Sequence, residues 1–272
     1  MMRNVWGSAI AVALGVVLIS VLTWRPASTQ SATYRAPRTP DGKADLNGIW
    51  EAVNSANWDI QDHAARQGPV MALGASFSIP AGLGVVEGNE IPYKPEALAK
   101  KKENADNWLT TDPEVKCYLP GVPRATYAGY PFQIVQTPKY VLMAYEFASA
   151  SRTIYIDGKS ESPADTWMGW SNGHWEGDTL VVDVKSFNNK TWFDRAGNYH
   201  SDALHVIERY TPIDATHLQY EATMEDPKVF TRPWKISMPL YRRVEKNMQI
   251  LEYKCVEFVE ELMYGHLRKK SE

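Results

Sequence analysis

The chain has 272 residues, a net charge of −3, and contents of 44 % hydrophobic and 11 % aromatic residues. Its length favours one or two domains, and its composition excludes a wholly disordered protein. No basic block alternates with aromatic residues, so the sequence gives no support to nucleic-acid binding.

The first 33 residues are predicted to be a targeting segment with a linker. Arg3 precedes an apolar run from Ala9 to Leu22, which is the order found in export signals. Counted from Val5 to Trp24, the run is just long enough to span a bilayer. We favour a cleaved signal peptide, with an uncleaved membrane anchor as the alternative. Both place the folded part outside the cytoplasm, in the periplasm or the extracellular space.

Residues 34–260 are predicted to form one mainly β domain, followed by a polar tail over 261–272. Short turns between the strands predict an antiparallel meander, and nine or ten strands favour a curled or closed, lipocalin-like barrel. A peripheral helix is predicted over 96–108, and a long loop over 71–86. The predicted strands cover residues 45–50, 132–137, 140–146, 152–156, 167–174, 179–184, 204–211, 217–224, 234–241 and 250–256.

The two cysteines, Cys117 and Cys255, are predicted to form a disulfide, because an exported chain with two cysteines most simply pairs them. The bond would join the middle of the chain to the last predicted strand. The alternative is a catalytic thiol, which would appear as free thiols in the unreduced protein.

Five longer motifs lie at residues 39–50, 117–124, 130–137, 175–182 and 204–210. The first reads Thr-Pro-Asp-Gly-Lys-Ala-Asp-Leu-Asn-Gly-Ile-Trp, and the fourth reads Trp-Glu-Gly-Asp-Thr-Leu-Val-Val. Together they resemble a family of exported, mostly uncharacterised bacterial proteins, abundant in acidobacteria and proteobacteria. The resemblance runs from about Thr39 to Cys255 and implies a secreted domain without implying an activity. Gly48-Ile49-Trp50 also resembles the start of lipocalin-like barrels.

Asp194, His200 and His205 are the candidate catalytic residues, because a histidine beside a carboxylate can act as a general base. His205 and Glu208 face opposite sides of a strand, so the predicted dyad joins Asp194 to one histidine across a loop. If the face with His205 and Arg209 is the interior, His205→Asn should remove activity or ligand preference and leave the fold intact. The alternative is that Asp194 caps a turn and His205 is structural.

The candidate substrate-binding residues are polar or aromatic groups that a barrel cavity would collect. Arginines suit a carboxylate, and tryptophans suit a sugar or an apolar ring. The alternative is that these arginines are solvent-exposed or structural and that the tryptophans belong to the core. The candidates are Tyr130, Tyr145, Arg152, Asp165, Trp167, Trp192, Arg209 and Arg232.

The sequence predicts an exported β-barrel enzyme that acts on a small, largely apolar or aromatic metabolite by acid–base chemistry, as a lyase, isomerase, cyclase or hydrolase. No ligand spacing predicts a metal, no phosphate or dinucleotide motif predicts a cofactor, and no Gly-x-Ser-x-Gly elbow is present. The alternative is a lipocalin-like protein that binds a hydrophobic ligand or a sugar without catalysis. A structural partner in an envelope complex has less support. The expected partner is a small molecule, with membrane contact only through residues 5–24.

Overall fold

The computed structural model describes residues 34–268, which contain a closed β-barrel of nine strands. The predicted mainly β class and closed barrel are confirmed, whereas the predicted targeting segment lies outside the described residues. The strands are β1 (Gly48–Glu51), β2 (Phe132–Gln136), β3 (Tyr140–Tyr145), β4 (Ser151–Ile156), β5 (Trp170–Glu176), β6 (Thr179–Lys185), β7 (His205–Pro212), β8 (His217–Glu225) and β9 (Trp234–Arg242).

One pair of neighbouring strands is parallel, which the predicted meander did not include. β5 runs parallel to β4, and the other neighbours are antiparallel, including β1 with β9 at the closure. A closed ring of strictly antiparallel neighbours needs an even number of strands, so nine strands require a parallel pair. Residues 157–169, here called the crossover, make this pairing possible, because a parallel connection needs about a dozen residues.

Alternation along the strands separates the barrel interior from its outer wall. On β7, Val206, Glu208 and Tyr210 are buried, whereas His205 and Ile207 are partly exposed. Residues of a strand point alternately to opposite faces, so the first three line the interior. β8 shows the same strict alternation. The buried face is therefore the one opposite to His205.

The long connections at the barrel end where β1 stops are here called the loop end. They are residues 52–131, 186–204 and 226–233. The first connection contains α1 (Pro95–Asp106) and the short α2 (Trp108–Thr111), so the predicted helix is confirmed with a break at Asn107.

The end of the predicted 71–86 loop packs on the barrel. Val85 and Val86 are buried, and Val86 pairs with Ile236 of β9. The Ser237 N–H donates to the Val85 carbonyl oxygen at 2.8 Å. This segment therefore pairs with the part of β9 that the four-residue β1 does not reach.

The prediction of a strand over 250–256 is wrong. β9 already pairs with β1 and β8, and closure of a barrel removes the free edges that a further strand would need. Cys117 and Cys255 form the predicted disulfide, with their Cα atoms 5.6 Å apart. A short helix, α3 (Val259–Tyr264), follows, so the predicted polar tail begins inside a helix. Within residues 34–268, no helix has the length and apolar character to cross a membrane.

Candidate functional site

The barrel interior contains a buried ion pair between β4 and β7. Arg152 Nη1 and Nη2 donate to Glu208 Oε2 and Oε1 at 2.6 and 3.0 Å. Tyr210 and Tyr220 donate their hydroxyls to Glu208 Oε1 at 2.9 and 2.8 Å, and Arg152 Nε donates to the Tyr145 hydroxyl at 3.1 Å. All five side chains are buried. The predicted ligand-binding residues Tyr145 and Arg152 thus use their polar groups within the protein.

Sequence reasoning gave Glu208 no role, because it considered only the other face of β7, with His205 and Arg209, as the possible interior. The signal that could have identified Glu208 is that it shares its face of the strand with three large apolar residues, Leu204, Val206 and Tyr210. A carboxylate alternating with large apolar residues on a strand is buried only when it is paired. On a buried face Glu208 needs a cationic partner, which in the structure is Arg152.

Asp194 is fully buried and joins two segments of the loop end. Its Oδ2 accepts the Ile60 N–H at 3.0 Å and Asn198 Nδ2 at 2.6 Å. Its Oδ1 accepts the Asn198 N–H at 3.1 Å. These are the contacts of a carboxylate that holds residue 60 against residues 194–198, as in the turn-capping alternative.

Ionisation of Asp194 is expected to make the protein less stable as the pH rises from about 4 to about 7. Burial, followed by the charge of Asp59, raises the pKa of Asp194 to about 7, whereas an aspartate in an unfolded chain ionises near pH 4. Between these values the folded state holds a proton that the unfolded state has lost. This contribution to stability is therefore complete below pH 4 and is lost as the pH rises through about 7.

Urea unfolding of wild type and Asp194→Asn at pH 4, 5.5 and 7 measures this contribution, since the variant lacks the ionisable group. The stability advantage of wild type over the variant should shrink with rising pH. An advantage that stays constant or grows over this range would contradict the assignment.

His200 is buried and makes no hydrogen bond to Asp194. Its Nδ1 lies 2.7 Å from the Ser201 carbonyl oxygen, and its Nε2 lies 2.6 Å from the Thr191 hydroxyl. The rings of Phe187 and Phe193 pack beside it, and burial lowers the pKa of His200. A neutral ring that donates from Nδ1 and accepts at Nε2 satisfies both contacts, so the predicted Asp194–His200 dyad is not formed.

His205 lies on the outer wall of the barrel, which is the opposite of the orientation that would place it in a cavity. Its Nε2 is 2.9 Å from Asp183 Oδ2, and its Nδ1 is 3.2 Å from Glu225 Oε2. Both ring nitrogens thus face carboxylates, and both contacts are hydrogen bonds only when both nitrogens carry protons. Arg209, on the same face, binds Glu176 at 2.9 Å.

The other predicted binding residues are spread over the surface. Tyr130 packs against Tyr253 of the C-terminal segment, and Trp167 packs against Tyr118. The remaining three lie apart from one another. They are Asp165, exposed in the crossover, Trp192, partly buried in the loop 186–204, and Arg232, exposed and 3.4 Å from Glu90.

A second buried charge cluster, which sequence reasoning did not identify, fastens the loop end. Arg124 makes two hydrogen bonds to Asp112 at 2.8 and 3.0 Å, and a third to Glu114 at 2.8 Å. Arg195 binds both oxygens of Glu114 at 2.8 and 3.0 Å. Burial by itself would raise the pKa of Glu114, but the two arginines lower it to about 2. Arg124 is the last residue of the 117–124 motif.

A cleft of about 410 Å³ lies on the outer wall, between the crossover and the strands β5 and β6. We call it the crossover cleft. Trp170 lies in it, stacked on Tyr155 with ring centroids 5.1 Å apart, and its Nε1 donates to Ser160 Oγ at 3.2 Å. The lining residues are Lys159, Ser160, Glu161, Ser162, Trp170, Asn172, Asp183, Lys185 and Ser186.

The polar groups of this cleft are arranged around the indole ring of Trp170. Asn172 Nδ2 donates to the Ser160 carbonyl oxygen at 3.0 Å, and Lys185 Nζ lies 3.2 Å from Asp183 Oδ1. Asp183 is also the partner of His205. The cleft therefore combines one fixed aromatic ring with an amide, a hydroxyl and a compensated pair of charges.

By fold the protein is a closed nine-stranded barrel with a packed, mainly apolar interior that holds the Arg152–Glu208 ion pair, and with clefts on its outer wall. Within the described part of the chain, no group of three or more His, Cys, Asp or Glu side chains is arranged to hold a metal ion. No protein-family model, no curated protein and no solved structure matches the chain.

Proposed function

We propose that the protein is an exported barrel that binds a small sugar-like ligand in the crossover cleft. The observation that carries the proposal is the position of Trp170 beside Asn172, Asp183 and Lys185. The cleft is lined mainly by polar residues, with the indole of Trp170 as its aromatic surface, and aromatic rings with polar groups at their edge suit ligands that are apolar on one face and polar at the rim. The faces of a sugar ring carry C–H groups that pack on an indole, and its hydroxyls need donors and acceptors at the ring edge.

The arrangement of Trp170 suits a binding platform. The ring is held on one face by Tyr155, with an angle of 18° between the planes, and at its edge by Ser160. A ring that is fixed before binding loses little conformational entropy when the ligand arrives. This preorganisation favours Trp170 over Trp167, whose ring is tilted by 53° against the exposed Tyr118.

The contacts of the predicted catalytic residues favour binding over acid–base catalysis. Asp194 is buried with three N–H donors, and His200 is buried with both nitrogens paired. His205 is accessible, but its nitrogens face Asp183 and Glu225. A general base needs a free nitrogen within hydrogen-bond distance of the proton that it removes. The enzyme hypothesis remains the alternative, tested by loss of turnover in His205→Asn.

Export is part of the proposal and has two independent supports. One is the apolar run of residues 5–24 behind Arg3, and the other is the disulfide, because disulfides persist in oxidising compartments. The likeness to a family of exported bacterial proteins agrees with both. Cleavage of the segment, or its retention as an anchor, is read directly from the N-terminal residue of the mature protein.

Trp170→Ala is expected to weaken sugar binding at least tenfold, equivalent to about 1.4 kcal/mol. The test is a printed array of neutral mono- and oligosaccharides, followed by calorimetric titration of those that bind. Trp170→Phe should retain part of the affinity, because it keeps a flat ring. The matched control is Tyr241→Ala, because Tyr241 is an exposed aromatic residue of β9 at the barrel end opposite to the loop end.

Two outcomes contradict the proposed site. An array on which the wild type binds no sugar removes the ligand class. Binding that survives Trp170→Ala but is lost in Trp167→Ala moves the site to the sequence-predicted tryptophan. Circular dichroism and thermal melting of each variant confirm that the fold is intact.

A further inference from the structure

We infer that the ligand is an extended neutral glycan, which runs across the outer wall from the crossover cleft to a second cleft beside the loop 226–233. The inference rests on the proposed function and adds the substrate class to it. It depends on the register of the strands β5 to β9, on the side chains that join the two clefts, and on the balance of charge along the path.

The register places one residue from each of the strands β5 to β8, and the residue just before β9, in a single row. Trp170 pairs with Lys185, and His205 pairs with Glu225. Val184 pairs with Val206, so Lys185 is level with His205. Met224 pairs with Trp234, so Glu225 is level with Pro233. The row of Trp170, Lys185, His205, Glu225 and Pro233 crosses four strand spacings of about 4.8 Å, or about 19 Å.

The second cleft lies at the far end of this row and has a volume of about 320 Å³. Apolar groups dominate it, with Arg232 at its edge. Glu225 belongs both to the row and to this cleft. The lining residues are Glu225, Asp226, Pro227, Phe230, Thr231, Arg232 and Pro233.

A chain of side-chain contacts connects the two clefts. Asp183 lines the crossover cleft and contacts His205, and His205 contacts Glu225 of the second cleft. Asp183, next to the row, and His205 and Glu225, in it, are partly exposed, with 40, 21 and 41 % of their side-chain surface accessible. A ligand longer than one sugar that starts on Trp170 therefore meets a polar surface, and then a second concave site.

The charges along the path favour a neutral chain. Asp183 is paired with Lys185 at 3.2 Å and Arg232 with Glu90 at 3.4 Å, and the Glu225 carboxylate lies 3.2 Å from a ring nitrogen of His205. A polyanion or polycation would have to displace these partners. An extended peptide bound by strand addition would need a free sheet edge, whereas the row crosses strands that already pair on both sides. A glycan needs only side-chain hydrogen bonds and an aromatic platform.

The test compares chain lengths within the sugar series that binds on the array, from one to six units, by calorimetry on the full exported chain. We expect affinity to rise at least tenfold between one unit and four or more units. In Arg232→Ala the ratio of hexamer to monomer affinity should fall, while Trp170→Ala should weaken every length. Lys139→Ala, exposed in the turn between β2 and β3, is the control for loss of a surface cation.

The results separate the inference from the proposed function. Equal affinity for all lengths overturns the extended site and leaves the sugar site at Trp170 standing. Tight binding of a peptide or a charged polysaccharide in place of neutral chains overturns the substrate class. Absence of any sugar binding removes the proposed function, and the inference with it.

Discussion

Arg152→Met is expected to lower the free energy of unfolding by about 3–5 kcal/mol, because it leaves Glu208 as an uncompensated charge inside the barrel. Glu208 would keep only the Tyr210 and Tyr220 hydroxyls. These cannot replace the two charge-assisted hydrogen bonds from the guanidinium. Methionine keeps most of the apolar volume of the arginine side chain, so the loss reports mainly on charge.

The double variant Arg152→Met/Glu208→Leu is the informative comparison. Removal of both charges removes the desolvation penalty as well, so we expect it to be clearly more stable than Arg152→Met. Urea unfolding at neutral pH measures four proteins: the wild type, the single variants Arg152→Met and Glu208→Leu, and the double variant. Strictly additive losses would contradict the idea that the two side chains act as one ion pair.

Removal of the disulfide by Cys117→Ala/Cys255→Ala is expected to lower the free energy of unfolding by up to about 5 kcal/mol on the chain-entropy model. The bond closes a loop with a sequence separation of 138 residues, which restricts the unfolded chain strongly. This value is an upper limit. The segment over 250–258 forms no strand, so removal of the bond also increases its conformational freedom in the folded state, which offsets part of the loss.

Two measurements distinguish the contributions of the disulfide. Urea unfolding of oxidised wild type and of the double alanine variant gives the total loss. Limited proteolysis shows whether cleavage concentrates after residue 245, as release of the C-terminal segment requires. A variant that unfolds at the same urea concentration as wild type, with no new cleavage, would contradict the expected effect.

The sequence predicts the strands well, because in a barrel wall with one buried face apolar and polar residues alternate along each strand. Seven of the nine observed strands match predicted ones to within one residue at each end. β1 and β5 begin three residues later than predicted, at Gly48 and Trp170. The parallel pairing of β4 and β5 leaves no such mark, because strand periodicity is the same for both directions. Only the odd number of strands in a closed ring requires it.

The candidate site was harder to predict for two physical reasons. Alternation separates His205 from Glu208, but each face of β7 carries both charged and apolar residues, so alternation alone does not say which face is inside. The larger number of apolar residues beside Glu208 was the remaining signal. Asp194 binds the Ile60 N–H, 134 residues away in sequence, and no local pattern records such a contact. The cleft around Trp170 forms because residues 159–162 of the crossover lie beside β5. The crossover takes this path because β4 and β5 are parallel.

The crossover also divides the barrel into two pieces of chain. Strands β1 to β4 precede it and β5 to β9 follow it, and each group is a run of antiparallel neighbours formed in chain order. Cys117 belongs to the first piece and Cys255 to the second. A single cut in residues 157–165 would therefore give two fragments that stay covalently linked while oxidised, and that meet along the β4–β5 and β1–β9 seams. Two covalent links therefore hold the two parts of the barrel together: the peptide segment of the crossover and the Cys117–Cys255 disulfide.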